Sequence, residues 1–291
     1  MKYGFFTVGS PTLTLEELAP ELQKFGYDGW DLRVTDEPPN PKGMEFWHGN
    51  KSTVPASTFK ENLDRIKNLG EEHKLELVNL GTYVRSNDDW ADIEQAVESA
   101  AAIGAPSLRI NVPTYSSEQE FMPIWNQARE DYKKIEKLAA DNGVRALIEI
   151  HMGTICPSAS SARMFVEGMD PKHVGVIFDV GNMVYEGFEN YRMGLELLGD
   201  YLALVHVKNA TAYPFKTRED STIEWRFKFW PMHQGVADIR ALITALLHVG
   251  YDGWISFEDF STQQKVLDRT EFNIGFVKKL VEEETAKFAA K

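Results

Sequence analysis

Short apolar runs alternate along the chain with longer stretches in which apolar residues recur every three or four positions. The first pattern is that of buried strands and the second that of amphipathic helices. The runs predict strands over 3–8, 29–34, 75–81, 107–112, 144–150, 174–179, 201–207 and 253–258. The stretches between them predict helices over 14–25, 56–73, 88–103, 118–142, 158–168, 190–198, 236–249 and 263–288. Thr14, followed by Leu15-Glu16-Glu17, is placed to cap the first helix. Gly26, Gly70, Gly104, Gly143, Gly199 and Gly250 each stand at a helix end, before the next strand. Glycine there accepts the left-handed conformation that stops a helix. Repeated βα units imply a parallel sheet, and eight of them in 291 residues imply one (β/α)8 TIM barrel domain over 1–291. A doubly wound sheet is the rival, but Val8-Gly9-Ser10-Pro11-Thr12 is not the glycine-rich phosphate loop such a sheet would carry.

Gly26-Tyr27-Asp28-Gly29-Trp30 returns as Gly250-Tyr251-Asp252-Gly253-Trp254. The repeat predicts a shared αβ turn with a Trp packed under the barrel. Two connections are long, 35–55 after strand two and 208–235 after strand seven. The first contains Trp47 and His48; the second contains Phe215, Trp225, Phe227, Phe229, Trp230 and His233. Both follow strands, so both are expected on the C-terminal face, where barrel active sites form. The aromatics of 208–235 argue for an ordered cover or docking surface rather than disorder.

Composition changes the picture by exclusion. Acidic residues outnumber basic ones 44 to 31, a net charge of −13, which disfavours a phosphate-binding surface and so nucleic acid. Cys156 is the one cysteine, so no intramolecular disulfide is possible. No apolar run approaches the length of a membrane helix, and the start has no signal-peptide pattern. The expectation is a soluble cytoplasmic protein with no membrane or nucleic-acid partner.

Candidate chemistry lies at the ends of the last four strands. Leu147-Ile148-Glu149-Ile150-His151, Val176-Ile177-Phe178-Asp179, Leu204-Val205-His206-Val207-Lys208 and Ile255-Ser256-Phe257-Glu258 each close an apolar run with a charged or imidazole side chain. Neighbouring strands lie roughly 5 Å apart, so Glu149, Asp179, His206 and Glu258 would converge. Three clustered carboxylates repel, and a divalent cation relieves the repulsion. Three oxygen donors and an imidazole suit Mn2+, Mg2+, Co2+ or Fe2+ better than structural Zn2+. The alternative is pairing of the carboxylates with arginines such as Arg33, Arg85 and Arg109.

On Gly26–Arg33, Glu149-Ile150-His151-Met152-Gly153, Asp179-Val180-Gly181-Asn182, His206-Val207-Lys208-Asn209 and Glu258-Asp259, the whole chain resembles the xylose isomerase-like barrel superfamily. Its members include sugar isomerases and epimerases, inosose dehydratases and endonuclease IV. The resemblance implies that Glu149, Asp179, His206 and Glu258 bind one divalent metal, with Mn2+ the expected ion. It implies that Glu149 and Glu258 exchange a proton with opposite faces of the substrate carbon. The expected function is a sugar isomerase or epimerase acting beside the carbonyl of a keto-sugar or derivative, through a metal-stabilised enediolate. A lyase on oxidised sugars is the alternative, either an inosose-type dehydratase or the catalytic subunit of a C-glycoside-cleaving enzyme. A non-catalytic binding barrel is the third. Endonuclease IV uses several metals and more histidines than this chain offers.

The chain departs from the epimerase pattern at Asn182, where many members carry His, and at Asn209, with no Arg following. His151, two residues after Glu149 on the same side of a strand, is a candidate base or substrate donor. Lys208, Arg109, Asn182 and Trp225 are candidate substrate contacts, and Asn79 and Asn111 candidate wall residues. Lys208 could instead pair with Asp179 or Glu258. His48, His73, His173 and His248 receive no role. The expected partners are a small carbohydrate substrate and either a second copy of the chain or a small subunit.

Overall fold

The computed structural model describes residues 1–37, 43 and 45–290. The chain runs β1 (Lys2–Phe6), α1 (Leu15–Phe25), β2 (Gly29–Val34), α2 (Leu63–His73), β3 (Glu76–Thr82), α3 (Trp90–Ile103), β4 (Ser107–Arg109), α4 (Phe121–Asn142), β5 (Arg145–Glu149) and α5 (Ala159–Val166). It continues β6 (Val174–Asp179), α6 (Val180–Tyr185), α7 (Tyr191–Leu198), β7 (Leu202–Val207), β8 (Ala210–Thr217), β9 (Ile223–Phe229), α8 (Ile239–His248), β10 (Trp254–Phe257) and α9 (Val266–Ala289). Eight strands close a barrel in the order β1-β10-β7-β6-β5-β4-β3-β2, and every pairing is parallel. This is the (β/α)8 TIM barrel the hydropathy pattern predicts. Among the described residues no helix is long and apolar enough to cross a membrane.

The local signals act as expected at α1. Thr14 Oγ1 accepts from the Glu17 N–H (3.3 Å) and the Glu17 carboxylate accepts from the Thr14 N–H (2.9 Å), a reciprocal capping box. Gly26 stops the helix in the left-handed region at φ 84°. The repeated pentapeptide does form equivalent turns into β2 and β10, with Trp30 buried and Trp254 half-buried. Gly29 is required by close packing, since a Cβ there would stand 2.4 Å from the Glu76 carbonyl oxygen.

Four expectations need correction. Helix 56–73 begins only at Leu63: the Asp36 carboxylate holds the Ser57 N–H and hydroxyl, and a 3-10 turn at Phe59–Asn62 intervenes. Strand four ends at Arg109 rather than 112; beyond it Asn111 bridges to Arg85. An unexpected helix, α6, follows β6 directly, because the Asp179 side chain accepts from the Asn182 N–H (2.9 Å) and caps it. The 208–235 connection contains an antiparallel hairpin, β8–β9. In the other long connection, Pro38, Pro39 and Pro41 lie outside the described residues.

Alternation along the strands divides the core. Ala146, Ile148, Val176, Phe178, Val205 and Val207 face outward into the main cluster against the helices. Leu147, Ile177 and Leu204 face inward and, with Val78, form an apolar plug inside the barrel. Two residues further along the same strands, on the same side, stand Glu149, Asp179 and His206. The plug thus gives the polar layer a dry floor.

Candidate active site

Register sets the height of the four site residues. Asp179 on β6 pairs with His206 on β7, and His206 pairs with Ser256 on β10, two residues before Glu258. All four are buried, and one donor atom from each lies within 4.8 Å of every other. His206 Nδ1 stands 3.3 Å from Glu149 Oε1, 3.6 Å from Glu258 Oε2 and 3.8 Å from Asp179 Oδ2. It is buried and makes no hydrogen bond. On the other side of the ring, Nε2 donates to Asp31 Oδ2 at 3.0 Å. Asn79 Nδ2 donates to Asp31 Oδ1 (3.1 Å) and Ser107 Oγ to Asn79 Oδ1 (2.8 Å), so Asp31 is held from behind.

An orphaned ring nitrogen facing three carboxylate oxygens fits a divalent cation. In the neutral ring its lone pair and the three oxygens would form a mixed nitrogen–oxygen donor set, and the Asp31 carboxylate fixes the tautomer that presents Nδ1. Burial alone would push the His206 pKa down, but the carboxylates of Asp31, Glu149 and Glu258 outweigh it and hold it well above its ordinary value. Burial and the charges of Glu258 and Glu149 push Asp179 up to about 7, against the opposing effect of Lys208. Burial would also raise Glu149 and Glu258. Arg109 holds Glu149 well below the usual range instead, and Lys208 lowers Glu258.

Of the three arginines suspected of neutralising the cluster, only Arg109 does so directly, with Nη1 2.6 Å from Glu149 Oε2 and Nε donating to the Thr82 carbonyl. Arg33 pairs with Glu37 instead. Arg85 forms no ion pair among the described residues. Lys208 pairs with both Asp179 Oδ2 (2.7 Å) and Glu258 Oε2 (2.5 Å). Arginine and lysine pairing therefore coexists in one cluster with a donor set that could hold a cation.

A cavity of about 220 Å³ opens over the carboxylates. Glu149, Glu258, His151, Lys208, Arg109, Asn111 and Asn182 all line it. Asn182 Nδ2 donates to the Ile150 carbonyl (3.1 Å) and lies 3.4 Å from Glu149 Oε1. His151 Nδ1 donates to the Met152 carbonyl at 2.7 Å, which leaves the Nε2 lone pair available. Burial lowers the His151 pKa, favouring the neutral ring. Asn79 supports Asp31 and is not part of the cavity wall. Trp225 stands on β9 opposite Pro214, 55% exposed and outside the cavity.

The aromatic wall is built from other residues. Phe229 and Phe260 have ring centroids 4.9 Å apart, and Trp47 sits 4.8 Å from Phe260. These three line the cavity, so both long connections do reach the site. Sequence reasoning missed Asp31, and also Tyr83, which lines the cavity with its ring under the guanidiniums of Arg33 and Arg109, and treated Arg85 only as a counter-ion. Asp31 carried a signal, a carboxylate inside the apolar run Gly29–Val34.

A family model for the xylose isomerase-like TIM barrel matches residues 21–280. An inosose dehydratase of Klebsiella pneumoniae is 27% identical over 258 residues, 84% of this chain and 82% of that protein. The chain spans about half the length of other such relatives: 49% of an inosose dehydratase of Geobacillus thermodenitrificans, 26% identical over 50% of this chain. A 3-keto-D-glucoside 4-epimerase of E. coli has a similar structure, with TM-score 0.71 and 16% identity, covering 96% of this chain and 99% of that one. A zinc-bound IolI protein gives 0.72 and 17%, covering 99% of both chains.

Proposed function

The chain belongs to the xylose isomerase-like TIM barrel family, and within it we propose a divalent-metal-dependent isomerase or epimerase that moves a proton beside the carbonyl of a keto-sugar or derivative. The observation that carries this reading is His206 Nδ1, buried without a hydrogen bond among the carboxylates of Glu149, Asp179 and Glu258, where loss of its proton would present a lone pair to a cation. Those four residues would hold the ion, and Mn2+ is our choice for it. A divalent ion there supplies Lewis acidity that stabilises negative charge developing on the substrate oxygen.

The chain's own residues supply the rest. Arg109 keeps Glu149 ionised, so this carboxylate can accept a proton from the carbon beside the carbonyl. Glu258, kept ionised by Lys208, faces the same cavity and exchanges a proton at the other face. Neutral His151, with Nε2 free, takes or returns a hydroxyl proton. Asn111 and Asn182 offer polar contacts to sugar hydroxyls, while Phe229, Phe260 and Trp47 keep bulk water from the reacting carbon. One cytoplasmic barrel domain over 1–291 carries the whole site in this reading.

A lyase is the second reading, favoured by the inosose dehydratase relatives and by Asn182 and Asn209, where the epimerase pattern has other residues. The first half-reaction is the same, and loss of a β-hydroxyl replaces reprotonation. Incubation of the Mn2+-loaded protein with D-fructose, D-tagatose and scyllo-inosose in D2O separates the two. Deuterium in a recovered ketose of unchanged hydroxyl count supports the isomerase. Release of water with a new enone or diketone supports the lyase. Neither outcome with these three or with the acidic ketose D-fructuronate would remove both.

A further inference from the structure

We infer that the substrate of this site carries a carboxylate, seated on Arg85 at the rim of the cavity. The inference rests on the proposed metal-dependent reading and adds the substrate's charge to it.

Arg85 lines the cavity beside Arg109 and Asn111. Its backbone is fixed: the Arg85–Asn111 bridge continues the β3–β4 pairing beyond Arg109, and the Asp88 carboxylate accepts the Arg85 N–H at 2.8 Å. Its guanidinium donates Nη1 to the Val112 carbonyl at 3.2 Å. Its remaining N–H groups have no acceptor among the described residues. A half-buried guanidinium next to a second one is unfavourable unless an anion completes it. Arg109 is ion-paired with Glu149 and Arg33 with Glu37, whereas among the described residues Arg85 has no ion pair and feels the Asp88 and Glu149 carboxylates only at longer range.

Charge over the whole site points the same way. Asp31, Glu149, Asp179 and Glu258 contribute four negative charges. Arg109, Lys208 and one bound dication contribute four positive ones when His206 is a neutral ligand. Arg85 then adds one positive charge to the cavity lining, with no ion-pair partner among the described residues. Proton transfer from substrate carbon to Glu149 moves charge within the cavity without changing this total. A single excess charge matches a carboxylate, whose planar oxygens suit the guanidinium fork, better than a phosphate near two negative charges. The class is therefore a keto-sugar acid rather than a neutral ketose or sugar phosphate.

Three matched ligands test this: D-fructose, D-fructuronate and D-fructose 6-phosphate, which differ only at C6. Each is titrated calorimetrically into the Mn2+-loaded protein and into Arg85→Gln, with bound metal per chain measured in both. The expected result is that fructuronate binds about tenfold or more tighter than fructose, a gap that shrinks to within about twofold in Arg85→Gln at unchanged metal content. Equal binding of fructose and fructuronate, an advantage that survives in Arg85→Gln, or a preference for the phosphate would each overturn the inference. Should Arg85→Gln not fold, Arg85→Met is read the same way. Deuterium exchange into fructose without any carboxylate preference would leave the proposed reaction standing and remove the anion seat. Carboxylate preference through Arg85 without exchange in any ligand would do the reverse.

Discussion

Asp31 Oδ2 accepts a hydrogen bond from His206 Nε2 at 3.0 Å, from a strand on the far side of the barrel and 175 residues away in sequence. This contact decides which imidazole nitrogen faces the carboxylates. Asp31→Asn should weaken it, because the amide is a poorer acceptor for Nε2–H. We expect metal affinity to fall about 10–100-fold, the usual scale for such a partner. Competition with a chelator reads the change. Unaltered affinity would mean that packing against Phe6, 5.5 Å from the His206 ring, suffices to orient it.

Metal uptake should strengthen as pH rises. Without metal, Asp179 titrates near 7 and His206 well above its ordinary value, so both hold protons that a ligand must lose. The sign is fixed: protons compete, affinity falls as pH drops below about 7, and binding releases protons. Calorimetry in buffers of different ionisation enthalpy measures the release. Affinity independent of pH between 5.5 and 8 would contradict these shifts.

Glu149→Gln and Glu258→Gln should each lower turnover about a hundredfold or more, the scale of a lost acid–base group. Metal content measured on the same samples separates loss of a ligand from loss of a base. A variant with near-normal turnover would remove that carboxylate from proton transfer.

The outer hairpin should be separable from the barrel's stability. Trp225, Phe215 and Ile223 are exposed, and the strands of β8–β9 pair with each other outside the barrel sheet. Trp225→Ala should change Tm by less than about 1 °C, since exposed substitutions are nearly neutral. Phe229→Ala removes a ring from the aromatic wall and should raise KM. Kinetics and thermal melts of the two variants test the contrast.

Gly29→Ala should destabilise the fold by about 2 kcal/mol or more, because the added methyl would meet the Glu76 carbonyl oxygen and the Trp254 ring. Denaturant titration gives the value. Retained stability would show that β2 and β3 can part at little cost.

Much of this was readable in the residues because strand alternation ties hydropathy to geometry. Leu147 and Glu149, Ile177 and Asp179, and Leu204 and His206 are pairs two apart, so an apolar floor and a polar layer above it follow from the pattern. The hairpin was missed although Ile223-Glu224-Trp225-Arg226-Phe227-Lys228-Phe229 alternates strictly; its apolar residues suggested a cover, and it has no place in the barrel sheet. Trp225 was chosen over Phe229 for the same reason, since alternation alone does not say which end of a hairpin lies over the barrel. Asp31 stood out locally as a carboxylate in an apolar run, but its partner His206 lies across the barrel, and the place of Arg85 depends on contacts between loops, which no local spacing encodes.

The central claim is a four-residue metal site, and metal content tests it most directly. The protein is stripped, reloaded with Mn2+ and compared with His206→Ala, with ions per chain counted in each. About one tight ion per chain in the wild type, lost in the variant, is the expected result. No stoichiometric ion in the wild type, or equal retention in His206→Ala, would contradict the account.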